Sequence, residues 1–368
     1  MDSSRLSESK LGLVVTTSVV QGETTTEVVT TNLDLLRLED RVKKRERVVA
    51  ALKGEEVDRP PVALWQHHPE QDRTARGLAR AVAEWQNRWD WDFVKVTPAS
   101  GFYFEDWGGA FQYPHPGNAH GTREVLSRPV RSRQALHDLE PVDVSQGVFG
   151  RELQALRELR GLLSGDVPVL ETIFSPFNVA YGLLGDFLAT AMAEYPADLR
   201  RAMGVITEVT TAFGLASLEA GADSIFFATQ MAQPGLVELD QYQTWGIPYD
   251  QQVLNALRDA TDFMLLHVHG DDVYFDLPVQ AYPVDAVNWH TRIAGPPLQD
   301  ALTKFGGAVV GGLTEKVLTG GRPDEVRAQA VDAISQTGGR RFILGAGCVT
   351  PITTPDENIQ AVRDAVGG

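Results

Sequence analysis

The chain has eight histidines and a single cysteine in 368 residues. Three of these nine side chains fall in a pattern that suits a soft divalent metal. His267 and His269 stand two apart at the end of the apolar run 263–269 (FMLLHVH). Residues i and i+2 of a strand share a face, so both imidazoles can converge on one point. Gly270 then allows a tight exit from the strand. Cys348 follows Gly345 and Gly347, whose missing side chains let backbone approach closely. Imidazole and thiolate both suit Zn²⁺, and three protein ligands leave a fourth position for substrate or water. The spacing alone fits a second arrangement: two histidines hydrogen-bonded to carboxylates, with Cys348 as a small buried hydrophobe.

Glu171 sits inside another apolar run, 167–174 (VPVLETIF). A carboxylate there must be paired, protonated or metal-bound. It reads as a metal ligand, a general acid, or the structural partner of an arginine or histidine. Glu171 and His290 are the candidate catalytic groups. Gln66, His67, Thr97 and Trp289 are the candidate substrate-binding groups, because each lies at the end of an expected strand. Asp271 and Asp272 read first as caps of a following helix and second as acceptors that orient the imidazoles. Arg47 and Arg59 read as holding an N-terminal helix and loop. Trp65, Phe102, Tyr103 and Trp107 form either an apolar wall or plain core.

The elements that must position these groups alternate regularly from Arg41 onward. Eight β-prone runs are expected as strands: 61–67, 93–97, 167–174, 224–229, 263–269, 286–290, 308–313 and 341–345. Most are continuously apolar, as parallel strands covered on both faces are. Helical spacing appears at 74–89, 199–220, 251–261 and 324–337. A last helix is expected to start with Thr354 as cap, Pro355 in the first turn and Glu357 closing a capping box. Eight strands in βα alternation favour a (β/α)₈ TIM barrel over an open doubly wound sheet. In such a barrel chemistry belongs at the carboxyl ends of the strands, where five of the eight histidines fall. No GxGxxG follows the first strand, which weakens a dinucleotide-binding reading. Residues 41–368 are expected to form this one barrel domain. Residues 1–40 form an N-terminal extension, a mobile tail or a Val/Thr-rich hairpin arm around Gly22.

Composition narrows the field further. Lys and Arg number 33 against 49 Asp and Glu, a net charge of −16. That balance disfavours nucleic acid and anionic lipid as partners. One cysteine allows no intrachain disulfide. No apolar run is long enough to span a membrane, and the first residues lack a signal peptide's apolar stretch. A soluble cytoplasmic protein is the expectation, and a homodimer is compatible with the sequence.

Residues 47–62 (RVVAALKGEEVDRPPV) resemble the opening of the uroporphyrinogen decarboxylase superfamily, and residues 344–366 (LGAGCVTPITTPDENIQAVRDAV) resemble its C-terminal turn and final helix. Residues 93–98, 174–184, 221–225 and 284–292 fit the same order, so the resemblance covers about 41–368. It implies a (β/α)₈ barrel. The decarboxylase branch carries arginines after the first strand, an aspartate ending the second and Gly-His-Gly in the C-terminal turn. Here those places read Leu64-Trp65-Gln66-His67-His68-Pro69, Val96-Thr97-Pro98 and Gly345-Ala346-Gly347. The methylcobamide:thiol methyltransferase branch binds zinc through His-x-Cys on the fifth strand and a cysteine after the eighth. Here His267-x-His269 and Cys348 stand at the matching places, with His269 where cysteine is usual.

The resemblance therefore implies zinc-dependent methyl transfer between a corrinoid and a thiol or similar nucleophile. The small-molecule methyl donor or acceptor would bind at the barrel mouth, and the corrinoid would be carried by a separate protein. Two alternatives stay open: a carboxy-lyase of the uroporphyrinogen decarboxylase type, and a non-catalytic barrel that binds a corrinoid or tetrapyrrole.

Overall fold

The computed structural model describes residues 13–20, 23–30, 42–113 and 117–367. The chain divides into two units, Met1–Lys43 and Lys44–Gly368. In the first, β1 (Leu13–Val20) and β2 (Glu23–Thr30) pair antiparallel, with Leu13 opposite Thr30 and Val20 opposite Glu23. Their Val and Thr content suits an extended backbone.

The second unit contains β3 (Val94–Lys95), a small antiparallel pair of β4 (Ala110–Gln112) and β5 (Glu124–Ser127), and then β6 (Val169–Phe174), β7 (Ser224–Thr229), β8 (Met264–Val268), β9 (Ala286–Asn288), β10 (Ala308–Leu313) and β11 (Phe342–Ala346). Seven of these make one parallel sheet in the order β11-β10-β9-β8-β7-β6-β3. Every residue of β7, β8, β9, β10 and β11 is buried. Continuous apolar runs permit this because helices cover the sheet's outer face. The main ones are Ala75–Trp89, Gly147–Leu162, Pro196–Glu219, Ile247–Arg258 and Pro323–Thr337.

The expected eighth stave, 61–67, is not a full strand. It contributes one parallel bridge, Val62 to Leu344. Two bonds tie it to β11: Leu344 N–H to Pro61 O (2.8 Å) and Ala63 N–H to Leu344 O (3.1 Å). On its other side Asp92 N–H donates to Val62 O (3.0 Å). Pro60 and Pro61 have no N–H to give, so no ladder can extend below this point. Above it, Leu64 O accepts from the Trp85 indole (2.9 Å) and Trp65 O from Thr350 N–H (2.7 Å). The ring thus closes through a short, irregular stave.

Asp92 fastens the foot of that seam. It is fully buried, and it accepts from Arg47 Nη1 (2.8 Å), Arg59 Nη1 (2.7 Å) and Val62 N–H (2.7 Å). Arg47 and Arg59 hold the entry to the barrel, as their place in the sequence led us to expect. The last helix departs from expectation. It spans Asp356–Asp364 with Pro355 as its cap residue, in extended conformation (ψ 142°). Thr354 therefore lies outside the helix and its hydroxyl caps nothing. Among the described residues, no helix is long and apolar enough to cross a membrane.

Candidate metal centre

His267 lies within β8 and His269 one residue beyond it, while Cys348 follows β11 by two residues. One ligand atom from each of the three falls within 4.8 Å of the others. Cys348 Sγ is 3.5 Å from His269 Nδ1. Two glycines make the approach feasible. Gly270 leaves β8 at φ +145°, a conformation that L side chains avoid. A Cβ on Gly347 would lie 2.8 Å from His290 Cα, so only glycine lets the Cys348 turn pack against the end of β9.

His267 has its ring orientation fixed from behind. Its Nδ1 is 2.7 Å from Asn288 Oδ1. Asn288 Nδ2 donates to the carbonyls of Val310 and Ala346, each at 3.0 Å. Those two acceptors identify Nδ2 as the nitrogen, so Oδ1 must accept and His267 Nδ1 must carry the proton. The Nε2 lone pair faces Cys348 across the site. A metal-ligating histidine normally has this arrangement behind it. The ring also stacks on Phe226, with centroids 5.4 Å apart and planes at 30°.

The electrostatics favour a thiolate. Burial pushes the Cys348 thiol up, but His267, by charge and hydrogen bond, together with His269 and His290 brings it well below its ordinary value. His267 is held below its usual value, chiefly by burial. Burial also pulls His269 down, yet its hydrogen bond to Cys348 and the charges of Cys348, Glu315 and Asp271 leave it raised overall. Two imidazoles and one thiolate converging, with His267 Nε2 unprotonated, make a donor set that fits zinc.

His290 stands beside the cluster. Its ring centroid is 5.3 Å from that of His269, and its Nδ1 is 3.8 Å from Glu315 Oε2. Burial lowers its proton affinity, and Cys348 and Glu315 more than restore it. Glu315 in turn accepts from Cys348 N–H (2.7 Å). Glu315 follows the seventh expected strand, and nothing in its spacing marks it for a role.

The cluster opens on a cavity of about 660 Å³ that is lined also by Trp65, His67, Thr97 and His290. The structure brings those predicted groups together; several others fall elsewhere. Gln66 does not line the cavity. Trp289 is fully buried against Phe275 (4.7 Å) and donates to Pro296 O (3.2 Å), so its indole is core. Glu171 is fully buried and off the cavity. Its Oε1 accepts from Thr172 N–H (3.0 Å), and burial and the nearby Glu152 hold it well above its ordinary value. Strand alternation explains this, since its neighbours Thr172 and Phe174 are the ones that line the cavity. Asp271 and Asp272 cap no helix, because the next one, Asp276–Ala281, starts after Phe275; Asp271 instead lines the cavity, where its charge acts on His269. Of the aromatic candidates, Trp65 and Tyr103 line the cavity, while Phe102 and Trp107 pack on Phe149. Lys95 was missed. It is a charged residue in an apolar strand, the signal that singled out Glu171, and it faces the cavity.

Barrel and site together define an enzyme of the uroporphyrinogen decarboxylase superfamily. The chain belongs to the uroporphyrinogen decarboxylase (URO-D) family, which it matches over residues 118–368. A methylcobamide:CoM methyltransferase of Methanosarcina mazei is 22% identical over 338 residues, covering 86% of this chain and 95% of the relative. A uroporphyrinogen decarboxylase of Sorangium cellulosum is 29% identical over 278 residues, covering 71% and 74%. A solved methyltransferase structure from Methanosarcina mazei matches the fold with a TM-score of 0.78 at 20% identity, covering 88% of this chain and 98% of that one.

Proposed function

We propose that this protein transfers a methyl group between a corrinoid and a thiol or similar nucleophile, with zinc held by His267, His269 and Cys348. The convergence of three ligand atoms within 4.8 Å at the barrel mouth carries the reading. The similarity to a methylcobamide:CoM methyltransferase supports it. Zinc held there would stabilise a substrate thiolate at neutral pH.

The chain's own residues account for the rest. Asn288 keeps His267 Nε2 aimed into the site. Glu315 fixes the Cys348 turn through the backbone N–H. His290, on the cavity wall beside Cys348 and Glu315, is placed to take the proton that a thiol gives up on binding. Trp65, His67 and Thr97 form the wall that receives the small molecule. Histidine at 269 leaves the site with one thiolate, so a bound nucleophile is less electron-rich than beside two. The corrinoid reaches the mouth from outside, carried by a separate protein. Glu171, off the cavity, has no part in the step.

The test is anaerobic. Purified protein is expected to contain about one zinc per chain and to demethylate methylcobalamin in the presence of a thiol, followed by the cofactor's visible absorbance. Cys348→Ser is expected to lose most of both. Full zinc content in that variant, or stepwise loss of carboxylates from uroporphyrinogen, would overturn the assignment.

A further inference from the structure

We infer that Lys95 binds an anionic group on the small molecule that reacts at the cluster, so that this molecule is an acid with an apolar body. The identity of the reacting molecule rests on the reading above; the anion site itself does not. Lys95 lies on β3, three staves round the ring from β8, which carries His267. Its side chain lines the cavity and the residue is only 8% exposed.

The ammonium has three donors and uses one, to Thr97 Oγ1 at 3.2 Å. It also sits 4.8 Å over the Phe226 ring. Among the described residues it makes no ion pair. That is unusual in a chain with 49 acidic and 33 basic residues. Of the cavity's arginines, one has a carboxylate partner and the other has its Nη1 committed to backbone carbonyls. Arg123 pairs with Glu105 (2.8 Å), and Arg128 donates to the carbonyls of Tyr181 (2.8 Å) and Gly182 (2.5 Å).

His67 stands beside Lys95. The histidine is 7% exposed, and its Nδ1 has no hydrogen-bond partner. Its ring is engaged at the Pro98 carbonyl, and Lys95 is close enough to act on its charge. With its one N–H spent on that carbonyl, the His67 ring leaves Nδ1 as an acceptor, so the unused donors on this wall are those of Lys95. Around them the surface is aromatic, from Trp65, Phe174 and Phe226. A buried ammonium with idle donors is costly unless an acceptor reaches it. A carboxylate or similar anion reaches it, with its apolar body on the aromatic rings and its reactive end at the cluster.

Calorimetric titration of the full-length protein with 3-phenylpropionate and with 3-phenyl-1-propanol tests this without zinc, corrinoid or turnover. The acid is expected to bind at least tenfold more tightly than the alcohol. Lys95→Met should bring the acid to the alcohol's affinity, and Lys95→Arg should keep the preference, which separates lost charge from lost fold. Equal affinities for wild type, including no binding of either probe, would overturn the inference, as would an undiminished preference in Lys95→Met. Should the protein prove unable to bind zinc and yet keep this acid preference, the methyl-transfer reading falls and this one stands.

Discussion

Asn288 holds His267 in one tautomer. The 2.7 Å contact from His267 Nδ1 to Asn288 Oδ1 has a single proton arrangement, because the amide's two hydrogens are taken by Val310 O and Ala346 O. Asn288→Leu removes the acceptor and frees the imidazole to turn. Its zinc affinity is expected to fall by roughly 10–100-fold, as for other outer partners of ligating histidines. Competition with a chromogenic chelator measures it, and an unchanged dissociation constant would exclude Asn288 from tuning the site.

Cys348 offers a pH test. With the neighbouring imidazoles holding the thiol well below its ordinary value, metal-free protein should keep a thiolate as pH falls below 8. The rate of alkylation by iodoacetamide should then stay nearly flat from pH 8 to pH 6, where an ordinary thiol slows about tenfold per unit. Added zinc should suppress the reaction. A steep decline over that range would mean the imidazoles do not act on the sulfur.

Asp92 joins Arg47, Arg59 and the Val62 N–H at the foot of the barrel. Asp92→Ala takes the acceptor from the Val62 N–H and from Arg59, while Arg47 keeps its second carboxylate, Asp58 (2.6 Å). The loss of stability should be about 1–3 kcal/mol, the usual cost of leaving buried donors unsatisfied. Urea unfolding monitored by tryptophan fluorescence decides it; a loss below about 1 kcal/mol would show that the seam does not depend on this carboxylate.

Asp250 gives stability a pH slope. It is fully buried and accepts from Tyr282 Oη (2.6 Å), and burial lifts its carboxyl from 3.8 to about 8. The native state therefore keeps a proton that the unfolded chain releases above about pH 4. Between those values the unfolded state binds fewer protons, so stability falls as pH rises. Asp250→Asn stands in for the protonated acid and removes that slope. It should be more stable than wild type at pH 8, by on the order of 2 kcal/mol, with the advantage shrinking toward pH 5. Parallel melting curves at both pH values would contradict this.

The fold was legible because seven of the eight apolar runs are buried parallel strands, and that pattern is written in residue type. The first stave was over-read. Its residues suit a strand, but Pro60 and Pro61 limit what its backbone can pair with. The centre was legible where period-two geometry applies, at His267 and His269, and where a lone cysteine follows glycines. It was not legible where a side chain's face depends on a strand's register. Glu171 and Lys95 carry the same sequence signal, a charge in an apolar strand, and point to opposite sides of the sheet. Trp289 was lost for a related reason, since it turns to Phe275 and away from the mouth.

The irregular stave also bears on how the cavity adapts. Trp65 and His67 stand on the one segment of the ring that no ladder laces above Val62. Its upper half is held by an indole, a loop amide and the His67 ring at the Pro98 carbonyl. Elsewhere, widening the mouth would mean tearing a run of strand pairs such as the five between β10 and β11. Here side-chain packing takes the place of the ladder, so a substitution that trims Leu64 or Trp65 should alter the shape of the mouth more than one on a laced strand.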